Sequence, residues 1–177
     1  MPDIFFYGTL RHRPVLAAVL GRAPEGAVPA TLADHAVRAV PDESYPAIVA
    51  APGERAEGLL LRGLGDADVA RLSWYEGGYA YTRRPVTVLL AEGTAEAEVF
   101  FPDAPPAALG EAWDLEAWCA QWGEIATRAA AEAMTLYGHV PPDGLAWRLP
   151  MMRMRAQSAI RGETDPGPAT LRRATEA

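Results

Sequence analysis

The sequence predicts an α+β domain built on a small mixed β-barrel, with short helices and a C-terminal helical extension. Three observations predict it: short apolar stretches separated by Gly and Pro, two short helical patterns among them, and one long amphipathic helix near the C-terminal end. Hydrophobic residues make up 50% of the 177 residues and charged residues 22%, which is the balance of a globular chain.

Apolar runs in the first third of the chain predict strands. Residues 4–7 read as a buried first strand that opens into a turn at Gly8. Residues 27–40 have strand-like stretches interrupted by Pro, and residues 45–49 and 56–61 read as two further strands. The pair Pro52-Gly53 predicts a turn between those two strands.

Two short helices are predicted between the strands. The first begins at Pro14 and ends at Gly21, which supplies a stop. The second is capped by Asp66, runs to about Tyr75 and delivers Glu76 at its end, where the pair Gly77-Gly78 breaks it.

The second half of the chain predicts a hairpin followed by helix. Residues 86–90 and 97–101 alternate in polarity around a turn at 91–94. Asp114 can cap a long helix whose apolar face includes Trp118, and regularity weakens after Gly138. We therefore expect a barrel over residues 1–110, a helical extension packed on it over 111–160, and a flexible tail or linker over 161–177.

Composition also argues against several classes of function. The net charge of −7 disfavours a nucleic-acid partner, and no stretch approaches the ~20 apolar residues that a membrane span requires. The N-terminus has no basic, apolar signal region, so we expect a cytoplasmic protein. His12, His35 and His139 lack metal-ligand spacing, and Cys119 reads as a small buried filler. We expect no metal and no cofactor.

The first candidate site is the loop Tyr7-Gly8-Thr9-Leu10 after the opening strand. Glycine can adopt an unusual φ and lets a ligand approach the backbone closely, so successive N–H groups could hold a carboxylate or an oxyanion. The alternative is a tight turn after a buried strand, and the spacing leaves both interpretations open.

The second candidate is Glu76, which lies between aromatic residues and a Gly pair. Aromatic walls desolvate a carboxylate and raise its pKa from ~4.3 toward the ~6–7 useful in a general base. A solvated Glu at a helix end, with the aromatics packed elsewhere, is the alternative interpretation.

Together, these motifs make the sequence resemble the γ-glutamylcyclotransferase-like family, which includes AIG2-like proteins. The resemblance spans roughly residues 4–101. It rests on Phe6-Tyr7-Gly8-Thr9-Leu10-Arg11, on Tyr45-Pro46-Ala47-Ile48, on Glu57-Gly58, and most of all on residues 72–83, LSWYEGGYAYTR. Ser73 is a departure, since family members often carry Asp there.

The resemblance implies an enzyme with the barrel fold of that family. It implies that Glu76 is the catalytic acid/base and that Tyr7, Gly8, Thr9 and Leu10 bind the substrate, with Tyr81 lining the pocket. The implied reaction closes a γ-glutamyl amine or peptide to 5-oxoproline and releases the amine. A non-catalytic domain that binds a small anion or serves as an accessory domain is the alternative function.

A wider resemblance concerns the C-terminal half. Residues 113–118, 153–158 and 168–172 look like parts of longer bacterial proteins in which a Nudix hydrolase domain follows. This resemblance implies a possible Nudix domain or partner, in which case the barrel could be accessory.

Overall fold

A computed structural model describes residues 2–162 of the chain. Five strands and five α-helices follow one another in these residues. In chain order they are β1 (Ile4–Phe6), α1 (Arg13–Leu20), β2 (Ala27–Ala39), β3 (Pro46–Leu61), α2 (Asp66–Gly77), β4 (Tyr81–Leu89), β5 (Thr94–Pro102), α3 (Leu115–Met134), α4 (Pro142–Ala146) and α5 (Leu149–Arg161). A short 3-10 turn, Thr9–Arg11, lies between β1 and α1.

The five strands form a closed barrel in the order β1-β3-β2-β4-β5. Neighbouring strands are antiparallel except β1 and β5, which pair in parallel, with Ile4 opposite Glu98 and Phe5 opposite Val99. The predicted α+β fold with a mixed barrel is therefore confirmed. Closure of the barrel pairs the backbone N–H and C=O groups at both edges of the sheet, because the short first strand lies between β3 and β5.

The long strands β2 and β3 correct two predictions. Residues 46–49 and 56–61 belong to one strand, with Tyr45 just before it, and the predicted turn at Pro52-Gly53 between two strands is wrong. Pro29 likewise lies inside β2 rather than breaking it. The bend is made by an irregularity between Ala33 and His35 on β2, facing Gly53 with φ +82° on β3. A bulge therefore lets the ribbon curve where the sequence suggested that it stops.

The helix boundaries follow the predictions at most ends. Helix α1 ends at Gly21, which has φ +73°, as predicted. The hairpin of β4 and β5 is also confirmed, with Gly93 at φ +82° in its turn. Asp114 caps α3 by accepting a hydrogen bond from the N–H of Ala117 at 2.7 Å.

Helix α2 differs from the prediction at both ends. Its N-cap is Gly65 rather than Asp66, and the carboxylate of Asp68 accepts a hydrogen bond from the Gly65 N–H at 3.2 Å. The helix continues through Gly77, so Glu76 lies in its last turn.

The helices after the barrel form a layer over α1 and the end of α2. Helix α3 packs against α1 and α5, and α4 packs against α2. The helical periodicity of the sequence weakens after Gly138, but the structure has a helix of 13 residues there, α5, whose buried face includes Met152. The predicted tail over 161–177 lies, after Gly162, outside the described residues. No helix within residues 2–162 combines the length and apolarity needed to cross a bilayer.

Candidate active site

A small pocket that opens to solvent lies at the end of the barrel where β1 finishes. We call it the barrel pocket. It brings together every residue that the sequence singled out as a site. Its lining residues are Phe5, Phe6, Tyr7, Gly8, Thr9, Leu10, Tyr45, Pro46, Glu76, Tyr79, Tyr81 and Phe100.

Glu76 is the one carboxylate among the residues that line this pocket. Within residues 2–162 its side chain forms no ion pair and accepts no hydrogen bond from a protein group. Burial disfavours the charged form and raises the pKa of Glu76 to about 8. The side chain can therefore gain or release a proton near neutral pH.

Two phenols stand beside this carboxylate. The Tyr7 hydroxyl donates a hydrogen bond to the Phe100 carbonyl at 3.0 Å, and the Tyr81 hydroxyl donates to the Pro46 carbonyl at 3.2 Å. Burial, together with the charge of Glu76, raises the pKa of both phenols well above the ordinary value. Both therefore stay protonated, as neutral walls of the pocket.

The loop from Gly8 to Leu10 presents backbone amides. In the part of the chain that the structure describes, the N–H groups of Gly8, Thr9 and Leu10 donate to no protein acceptor, whereas Arg11 N–H donates back to the Gly8 carbonyl. Buried amides without a partner are costly, so a ligand or solvent must satisfy those of this loop.

Gly8 fits this loop for a reason other than the one predicted. Its φ is −111°, so an unusual positive φ is not what the loop requires. A Cβ at this position would lie 3.2 Å from Cγ of Pro46. The absence of a side chain therefore lets the loop approach the start of β3 closely.

The glycine pair after Glu76 also has a different role from the predicted one. Gly78 has φ −64°, so it does not end the helix through a left-handed conformation. A Cβ on Gly77 would lie 2.9 Å from Pro142, and one on Gly78 would lie 2.8 Å from Leu145. The pair therefore allows α4 to pack directly on the turn that carries Glu76.

Six lining residues were not predicted as site residues: Phe5, Phe6, Tyr45, Pro46, Tyr79 and Phe100. The Tyr79 ring makes edge-to-face contacts with Tyr45 at 5.3 Å and with Tyr75 at 5.5 Å between centroids. Tyr79 lies three residues after Glu76, just beyond the end of α2. This spacing is the sequence signal that could have identified Tyr79 as a pocket residue. Tyr45 and Pro46 belong to a motif that carries the family resemblance, but their place in the pocket depends on long-range packing.

A second, narrow pocket lies between the loop and the helical layer. We call it the helix-side pocket. It shares Thr9, Tyr45 and Tyr79 with the barrel pocket, so these residues form the boundary between the two. Its outer wall consists of helical residues that include Trp118, Trp122, Ile125 and Arg153.

Cys119 is half-buried rather than buried, and its Sγ lies 3.3 Å from Nδ1 of His12. Burial raises the pKa of the Cys119 thiol and lowers the pKa of His12. Both shifts favour a neutral pair, which is a poor nucleophile. Among the described residues, no group of three or more His, Cys, Asp or Glu side chains is arranged to hold a metal ion.

Residues 4–120 match the family described as γ-glutamyl cyclotransferase, AIG2-like. The chain belongs to this family. It is also 32% identical over 123 residues to AIG2-like protein D of Arabidopsis thaliana, a match that covers 67% of this chain and 79% of that protein.

Solved structures share the fold of this chain. A solution structure from Arabidopsis thaliana is 24% identical, with a TM-score of 0.56 over 79% of this chain and 85% of that one. A structure described as γ-glutamyl cyclotransferase is 13% identical, with a TM-score of 0.51 over 84% and 85%. At these identities the likeness shows the fold alone.

Family membership supports a cyclotransferase-like role for the protein, and the substrate and the catalytic step are matters for proposal. The match ends at residue 120 and does not bear on a Nudix domain. That association, a bacterial origin and a cytoplasmic location stay predictions.

Proposed function

We propose that the protein cyclises a γ-glutamyl amine or peptide to 5-oxoproline and releases the amine, with Glu76 as general acid/base. One observation carries the proposal: an unpaired, desolvated carboxylate and a loop of unpaired amides line the same pocket. Tyr7, Gly8, Thr9, Leu10 and Tyr81 are the substrate-binding residues.

The proton transfers match the pKa of Glu76. An α-amino group titrates near ~8, and Glu76 titrates at about 8, so a proton moves between them with little free-energy change. The α-ammonium releases one proton to solvent, and as the free amine nitrogen attacks the γ-carbonyl carbon, Glu76 takes a second proton from that nitrogen. As the old C–N bond breaks, Glu76 gives the proton to the departing nitrogen.

The loop amides stabilise the charge that develops on the γ-carbonyl oxygen. N–H groups that already lack protein partners need no rearrangement to bind an oxyanion. The nucleophile is part of the substrate, so orientation supplies much of the remaining acceleration. Tyr7 and Tyr81 remain protonated and exclude water from the reacting atoms.

The test is a panel of γ-glutamyl amino acids, peptides and amines, with 5-oxoproline release measured for wild type, Glu76→Gln and a control, Glu92→Gln. Glu92 is an exposed residue in the hairpin turn. We expect Glu76→Gln to lower kcat by a factor on the order of 10² to 10⁴ while the protein stays folded. Glu92→Gln should match wild type. Equal activity of wild type and Glu76→Gln would refute Glu76 as acid/base.

The unpaired amides of Gly8–Leu10 also favour a second function, a non-catalytic domain that binds a small anion. In that case the panel gives no 5-oxoproline with any substrate, and calorimetry detects binding of a γ-glutamyl compound or another carboxylate that Glu76→Gln does not weaken.

A further inference from the structure

Helix α5 carries an arginine, Arg153, beside the barrel, although this helix lies outside the residues matched to the family, which end at residue 120. The helix packs against α3, and its residues Met152 and Ala156 are buried in the core. The Arg153 side chain is itself only 22% exposed. A well-anchored helix therefore holds a mostly buried cation next to the candidate site.

The Arg153 guanidinium contacts two tyrosine rings. Its central carbon lies 5.6 Å from the ring centroid of Tyr45 and 5.6 Å from that of Tyr79. Both distances are within the ~6 Å over which a cation is attracted to an aromatic face. The two rings also contact each other edge to face, with centroids 5.3 Å apart. The three side chains therefore form one cluster, which we call the Arg153 cluster.

The Arg153 cluster reaches the barrel pocket through its two rings. Tyr45 and Tyr79 line the barrel pocket together with Glu76, whereas Arg153 does not line it. Tyr79 also lies on the turn that carries Glu76, because its N–H donates a hydrogen bond to the Glu76 carbonyl at 2.9 Å. The cation therefore acts from behind the wall of the pocket, on rings whose place in that wall is next to the carboxylate in the chain.

An ion pair with Glu43 contributes less to the position of the guanidinium. The closest approach between the two side chains is 3.7 Å, and Glu43 is 40% exposed. An ion pair that is long and open to solvent is worth little, whereas a cation that is mostly withdrawn from water interacts more strongly with aromatic faces. The two rings are therefore the main partners of Arg153.

We propose that Arg153 is a positioning residue for the barrel pocket, where it holds the rings of Tyr45 and Tyr79 in the wall beside Glu76. Its effect on turnover rests on the proposed function. Arg153 itself touches no reacting atom and takes no part in proton transfer. Cyclisation requires the amine and the carbonyl of one substrate to be held in the reactive orientation, so a wall that moves lowers kcat more than it changes KM.

The first experiment measures turnover of the γ-glutamyl compound from which the wild type releases most 5-oxoproline. Arg153→Met keeps an apolar stem without the cation, and we expect kcat to fall roughly 5- to 30-fold while KM changes less than about threefold. Arg153→Lys restores a cation and should recover part of the lost kcat.

Two control variants accompany this measurement. Arg155→Met is the matched control, because Arg155 lies on the same helix, pairs with Glu132 and lines neither pocket. Glu43→Gln removes the ion pair and leaves the rings in place. Both controls should keep kcat and KM within about twofold of wild type.

The second experiment does not depend on turnover. The six tyrosines are replaced by fluorotyrosine, and each fluorine NMR signal is assigned with a single Tyr→Phe variant. Rings that are no longer held sample several orientations, so Arg153→Met should broaden or split the signals of Tyr45 and Tyr79. The signal of Tyr137, which packs on Trp74, should stay unchanged and reports that the variant remains folded. Arg153→Lys should narrow the two affected signals again.

The two experiments separate this inference from the proposed function. If no γ-glutamyl compound is turned over by any of the proteins, the proposed function fails, and broadened signals of Tyr45 and Tyr79 in Arg153→Met still support the positioning of the pocket wall. The inference is overturned if these signals only shift, without broadening or splitting, or if an active enzyme keeps its kcat in Arg153→Met. It is also overturned if Glu43→Gln or Arg155→Met reproduces the effects.

Discussion

The indole N–H of Trp74 donates a hydrogen bond to the backbone carbonyl of Val140 at 2.8 Å. Trp74 precedes Glu76 by two residues, and Val140 lies just before α4. The bond therefore ties the last turn of α2 to the segment that packs on Gly77 and Gly78. The position of the candidate catalytic carboxylate depends on the helical layer as well as on the barrel.

Replacing Trp74 should loosen this connection. Trp74→Phe keeps an aromatic ring but leaves the Val140 carbonyl without its donor, so we expect a loss of about 1–3 kcal/mol in the free energy of unfolding. The measurement is chemical denaturation. Trp147→Phe is the control, because Trp147 is 67% exposed and should change stability by less than about 0.5 kcal/mol. Equal losses in both variants would contradict the importance of the Val140 bond.

The raised pKa of Glu76 predicts how stability depends on pH. The folded protein holds the Glu76 proton up to about pH 8, whereas the unfolded chain releases it near the ordinary value of 4.5. Between these values the unfolded state binds fewer protons, so this residue lowers the free energy of unfolding as pH rises. Below about pH 4.5 and above about pH 8 its contribution is constant.

The measurement compares wild type with Glu76→Gln by urea denaturation from pH 4 to pH 9. The wild-type free energy of unfolding should fall relative to the variant across pH 4.5–8, by up to about 1.4 kcal/mol per pH unit before solvent contact through the pocket reduces it. Parallel curves across this window would show that the carboxylate is not desolvated.

The Tyr7 hydroxyl joins the loop to β5 through the Phe100 carbonyl. Tyr7→Phe removes this buried hydrogen bond, and we expect a loss of about 1–2 kcal/mol in the free energy of unfolding. Tyr137→Phe is a suitable control, because within residues 2–162 the Tyr137 hydroxyl has no hydrogen-bond partner while its ring packs on Trp74. A larger loss from Tyr137→Phe than from Tyr7→Phe would argue against the Phe100 contact.

Gly58 lies on β3 beside its antiparallel neighbour β1, and no larger residue fits there. An added Cβ would come within 2.4 Å of the Phe5 ring and of the Phe6 carbonyl oxygen. We expect Gly58→Ala to cost roughly 3 kcal/mol or more, or to abolish soluble expression. Gly65→Ala is the comparison, because its Cβ would meet nothing nearer than 3.9 Å, and we expect a loss of about 1 kcal/mol or less. Thermal melts that place both variants together would refute the steric argument.

Much of the fold could be predicted because its signals are local. The stop at Gly21, the cap at Asp114 and the hairpin turn at Gly93 each depend on neighbours in the chain. The continuity of β3 through Pro52-Gly53 could not be predicted, because it depends on a register shift against β2: Ala33 pairs with Arg55 and His35 with Ala50, so residues 51–54 bulge out of the ladder while the strand continues. Cross-strand partners decide such cases, and they are distant in sequence.

The candidate site follows the same division. Glu76 and the loop of Tyr7 to Leu10 could be predicted from the sequence, because each has a distinctive local pattern and both occur in the family motif. Arg153 could not be, since nothing in its own helix indicates that it reaches Tyr45 and Tyr79. The reason for the Gly77-Gly78 pair was likewise hidden in α4, a helix more than 60 residues further along the chain.

The parallel pairing of β1 with β5 has a consequence for how the protein acquires its function. The strand that leads into the binding loop closes the barrel by placing Phe5 beside Val99, although these two residues are separated in sequence by β2, β3, α2 and β4. Such a distant contact forms late, since closing a long loop is entropically costly. The binding loop and the barrel therefore reach their final structure together. A nascent chain whose fifth strand has not yet been released from the ribosome has no competent site.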